Sequence, residues 1–115
     1  MTCVVDASVA LKWFLPDEPH SDEAWALVQE GEILIAPDLL IAETCNAAWK
    51  CHRLERMEAS EVSDIAAILP RFFAELVGTA SLAPRAALIA VDLAHPVYDC
   101  LYLALAESRR LPFVT

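Results

Sequence analysis

The chain has 115 residues, 57% of them hydrophobic, only two glycines and a net charge of −9. That length and composition suit one compact domain over residues 1–115 with a real core, and exclude disorder. The acidic balance counts against a module that binds nucleic acid by neutralising phosphates alone; it counts less against a nuclease whose acids gather a divalent cation.

Thr2 to Val5 reads as a short buried strand that ends abruptly at Asp6. Ala7 to Leu15 suits a helix stopped by Pro16, and a loop follows to Pro19. Ser21 is placed to cap a helix running to about Gln29, with Ala24, Trp25, Leu27 and Val28 on its apolar face and Gly31 ending it. Glu32 to Ala36 is a second strand. Pro37-Asp38 opens a long helix to about Leu54, and Glu58 to Leu69 forms another, with Pro70 beyond its end. Phe72 to Val77 is a third strand candidate, closed by Gly78. Ser81 to Ala94 reads as a helix that tolerates Pro84 in its first turn, His95-Pro96-Val97 as a break, and Tyr98 to Arg110 as a strongly apolar helix. Leu111 to Thr115 starts a fourth strand. Strands alternating with helices predict a parallel sheet covered on both faces.

Three acids stand out. Asp6 ends a strand, and in open parallel sheets ligands gather at the strands' carboxyl ends; helix capping is an equally good use for it. Glu43 lies among apolar neighbours on the long helix, facing either a narrow polar stripe or a site, with Asn46 one turn further on. Asp99 opens the last helix, where free N–H groups stabilise a carboxylate, as a cap or as a ligand. The other acids suit helix ends, exposed faces and loops.

Several chemistries lose support. Cys3, Cys45, Cys51 and Cys100 contain no CxxC pair and read as reduced, mostly buried residues of a cytoplasmic protein. His20, His52 and His95 have no zinc spacing. Ser8 lacks triad partners, and glycines at 31 and 78 build no phosphate loop. No apolar run reaches the ~18 residues of a membrane helix, and no signal peptide precedes Asp6.

Taken together, the segments resemble the PIN-domain family, in particular the VapC-type toxins of toxin–antitoxin pairs. Val4-Val5-Asp6-Ala7-Ser8-Val9-Ala10-Leu11-Lys12-Trp13 is similar to its first motif. Pro37-Asp38-Leu39 with Glu43 and Asn46 is similar to the second, and His95-Pro96-Val97-Tyr98-Asp99 with Leu101 to Ala106 to the third. Leu111-Pro112-Phe113-Val114-Thr115 resembles the lead-in to the fourth. The resemblance implies a three-layer α/β/α fold around a parallel sheet, its last strand cut short. It implies that Asp6, Glu43 and Asp99 converge as catalytic and metal-ligating residues for Mg2+ or Mn2+, with Ser8 and, more weakly, Asn46 as polar neighbours. It implies endoribonuclease activity on RNA such as transfer RNA, inhibition by a cognate antitoxin, and a homodimer. Family members carry a further Asp in a Thr-x-Asp pattern; the sequence stops at Thr115, so that fourth carboxylate is absent and the domain is expected to continue. The competing readings are a catalytically impaired PIN-like module acting through its partner, and another phosphohydrolase on a similar scaffold. The haloacid-dehalogenase type needs a second Asp where Ser8 stands, which counts against it.

Overall fold

A computed structural model describes all residues from Met1 to Thr115. The first strand, β1 (Thr2–Val5), and the second, β2 (Ile33–Pro37), pair in parallel, with Cys3 opposite Leu34. β3 (Glu75–Val77) adds to the far side of β2, and β4 (Phe113–Val114) to the far side of β1. All pairings are parallel and the order is β3-β2-β1-β4. The two central strands are buried almost throughout, as expected of a parallel sheet flanked by helices.

Six helices make the crossovers: α1 (Ala7–Lys12), α2 (Ser21–Gln29), α3 (Leu39–Arg53), α4 (Ala59–Ile68), α5 (Thr79–Leu93) and α6 (Val97–Arg109). The core joins Val4, Val5, Leu34, Ile35 and Ala36 of the sheet to Leu40, Leu82, Leu101, Tyr102 and Leu105 of the helices. Trp13 closes one end: its ring stacks on Phe72 at 4.9 Å and its indole N–H donates to the Ala24 carbonyl at 2.8 Å. All four cysteines are free, and Cys3, Cys51 and Cys100 are buried. No single helix is long and apolar enough to cross a membrane.

Several boundaries differ from expectation, each for a local reason. Helix α1 stops at Lys12 rather than Leu15, because from Trp13 to Leu15 the backbone tightens to i→i−3 bonds ahead of Pro16, which has no N–H to give. Ser21 does not cap α2; it is the helix's first residue, and its hydroxyl donates to the Leu15 carbonyl. His20, at φ +65°, holds the capping position with a left-handed backbone. Pro37 is the last residue of β2, not the first of α3. Pro70 lies inside a 3-10 turn, Leu69–Phe72, which takes Phe72 out of the third strand and sends it to Trp13. Helix α5 starts two residues before Ser81, because the Asp38 carboxylate accepts from both the Thr79 N–H and hydroxyl. Pro84 therefore sits in the helix body rather than in its first turn. Gly31, at φ +72°, ends the α2 segment as expected, in a conformation that costs a residue with a Cβ.

Candidate functional site

The carboxyl end of β1 delivers Asp6 to the start of α1. There it caps: Oδ1 accepts from the Val9 N–H at 3.1 Å and from the Ser8 hydroxyl at 2.6 Å. Its other oxygen accepts from the Thr115 hydroxyl, just past β4. The two outcomes weighed for Asp6 are thus compatible, since one oxygen caps the helix and the other faces the neighbouring strand end.

Glu43 is half-buried on α3 and does not point at open water. Its Oε1 accepts from the hydroxyl of Tyr102 at 2.5 Å, which ties α3 to α6. Tyr102 is 2% exposed, and its ring also stacks on Phe113 at 5.8 Å. Burial is the largest influence on this phenol, followed by the hydrogen bond to Glu43 and the negative charges of Glu43, Asp6 and Asp99. All act in one direction, holding the hydroxyl protonated far above the usual tyrosine range. The same phenol therefore feels three acids that lie far apart in the sequence.

Asp99 sits in the first turn of α6 and is exposed; its Oδ2 meets His95 Nε2 at 2.7 Å, across the Pro96 turn. Ser8 lies beside Asp6, whereas the exposed Asn46 makes no side-chain hydrogen bond within the chain. None of the three acids is ion-paired with a Lys or Arg, although Glu18, Glu75 and Glu107 each hold an arginine elsewhere.

The arrangement is not a preassembled ligand set. No group of three or more His, Cys, Asp or Glu side chains is disposed to hold a metal ion. Each acid is instead drawn to its own hydrogen-bond donor: Ser8 and Thr115, Tyr102, or His95. The donor chemistry nevertheless fits a hard cation: carboxylate oxygens with hydroxyl neighbours, and no thiol or lysine among them. Beside this patch, α1, α2 and β4 enclose a cavity of about 290 Å³ lined by Val9, Lys12, His20, Glu23, Leu27 and Thr115 among others.

Tyr102 and Thr115 join this neighbourhood without having stood out as site residues in the sequence. Tyr102 looked like one more apolar member of the last helix. Its position three residues after Asp99, on the same helical face, is the signal that could have found it. Thr115 needed the parallel pairing of β4 with β1 to reach Asp6.

A family model described as the PIN domain matches residues 3–115 of the chain. No curated protein matches it.

Proposed function

The chain belongs to the PIN-domain family, whose members are generally nucleases, and from that premise we propose that it is a metal-dependent endoribonuclease, the toxin of a toxin–antitoxin pair. What supports this reading is that Glu43 is hydrogen-bonded to the buried Tyr102 hydroxyl, that the charges of Asp6 and Asp99 act on the same phenol, and that no lysine or arginine is paired to any of the three acids. Carboxylates brought near one another repel, and a divalent cation relieves that repulsion more fully than the hydroxyls do.

Asp6 and Asp99 would hold Mg2+ or Mn2+, with Glu43 completing the set or orienting the attacking water. When bound, such a cation supplies Lewis acidity at phosphorus and a more acidic water. The chain's own residues do the rest. Ser8 and Thr115 fix the rotamer of Asp6, and Tyr102 fixes that of Glu43. His95 holds Asp99 until a stronger partner arrives. Asn46, one turn from Glu43, would meet the substrate or a water. The RNA substrate, transfer RNA included, lies over the carboxylates of Asp6 and Asp99, beyond the carboxyl end of β1. A cognate antitoxin engages the apolar surface around Trp25 and Phe14, and the active form is a cytoplasmic homodimer.

Replacing Asp6 or Asp99 by Asn tests the assignment. Cleavage of RNA with magnesium or manganese should fall to background, and manganese binding measured by calorimetry should weaken in step. Undiminished cleavage by either variant removes that acid from the site. The absence of a preassembled ligand set favours a second reading, a PIN-like module that acts by binding its partner. A parent chain that takes up no manganese and cleaves nothing, yet retains its partner, would select it.

A further inference from the structure

The acidic balance of the chain leaves few cations to meet RNA, and most are already spoken for or scattered. Of the eight Lys and Arg residues, Arg56, Arg85 and Arg109 are committed to Glu18, Glu107 and Glu75. Two of the uncommitted ones, Lys50 and Arg53, fall within the last turn of α3, the helix that carries Glu43. Between Glu43 and Arg53 that helix bears no other acid. Lys50 follows Glu43 by seven residues, close to two full turns, so the two share a bearing on the helix. Asn46 and Arg53 lie to one side of that line, with Trp49 beyond them on the same side.

Trp49 is the feature that gives this end of α3 a purpose. Its indole is 46% exposed, and the Arg53 guanidinium lies 5.0 Å from the ring centroid. The helix dipole by itself accounts for cations at a helix C-terminus. It does not account for a large indole left in water beside them. An exposed aromatic ring among unpaired cations is what an unstacked base and its phosphates require.

Resting on the nuclease reading above, we propose that the C-terminal half of α3 is a docking track for single-stranded RNA. Trp49 stacks on a base, Lys50 and Arg53 meet flanking phosphates, and the strand is led along α3 toward Glu43. At ~1.5 Å per residue the track from Glu43 to Arg53 runs about 15 Å. Arg53 has a double use, since its contact with the indole keeps the ring upright in the free protein.

The test is binding of a short labelled single-stranded RNA, followed by fluorescence anisotropy with EDTA present so that nothing is cleaved. Trp49→Ala should weaken binding by about ten-fold, the scale of one lost base–aromatic stack. Lys50→Gln and Arg53→Gln should each lower the slope of log affinity against log salt by about 0.7. All three positions are exposed, and unchanged thermal unfolding would confirm intact folds. Parent-like affinity and salt slope in all three variants would overturn the proposal, as would a parent that binds no RNA. So would a Trp49→Ala chain that changes from dimer to monomer with its RNA affinity intact, which would make this face a subunit contact. Binding that follows the expected pattern without any metal-dependent cleavage by the parent would instead sink the nuclease reading and leave the track standing.

Discussion

Replacing Tyr102 by Phe removes one hydroxyl and leaves the stack on Phe113 in place. The lost hydrogen bond is to a carboxylate, which places it in the class worth ~1.5–3 kcal/mol. Glu43 is only half-buried, so water recovers part of that energy once the donor is gone. Removing the hydroxyl also relieves the phenol of its own desolvation. The net loss should be about 1–2 kcal/mol, or roughly 4–8 °C in Tm for a chain of this size. Thermal unfolding followed by far-ultraviolet circular dichroism reads it directly. If Tyr102 also positions Glu43 for the reaction, kcat should fall more than KM rises in a magnesium-dependent RNA cleavage assay. A Tm equal to or above that of the parent would refute the reasoning, because it would mean that the α3–α6 bond stabilises nothing.

Further outcomes follow from the same structure. Tyr102 has its pKa raised on folding, so its contribution is fully present below the ordinary tyrosine value of ~10 and is lost as pH climbs beyond it, by up to ~1.4 kcal/mol per pH unit. In a tyrosinate absorbance titration, one of the two tyrosines should ionise only as the protein unfolds. Asp38→Ala removes the acceptor for both Thr79 donors and should destabilise by about 1–2 kcal/mol in urea unfolding, with α5 fraying at its start by hydrogen exchange. Trp13→Ala empties the stack on Phe72 and removes the indole donor from the Ala24 carbonyl; a loss of about 3–5 kcal/mol in the same assay is expected. Gly31→Ala meets no neighbouring atom, so only the backbone at φ +72° resists it, and about 1 kcal/mol should be lost.

The alternation of apolar strands and amphipathic helices was legible because each element's signal is local. β1 falls where the apolar, mostly β-branched run from Thr2 to Val5 puts it, α6 lies within a residue of its expected bounds, and α3 ends within a residue of Leu54 although it starts at Leu39 rather than at Pro37-Asp38. The third strand was misjudged for an equally local reason. Phe72 and Phe73 fit a strand by propensity, but Pro70 sets a 3-10 turn and Trp13 offers their rings a better contact than the sheet edge does. At the start of α5 the deciding residue, Asp38, lies far back in the chain, so no window around Ser81 could contain it.

The amino-acid sequence by itself determined the element order, the parallel α/β class and which acids stand at element ends, because hydrophobic periodicity and turn chemistry act over a few neighbouring residues. Only the tertiary structure decided what those acids meet. It placed Tyr102 against Glu43, set Thr115 on Asp6 and His95 on Asp99, and left Trp49 in water next to Arg53. The physical reason is range: a side chain's hydrogen-bond partner is chosen by packing across layers, and strand pairing joins residues that the sequence holds more than a hundred positions apart.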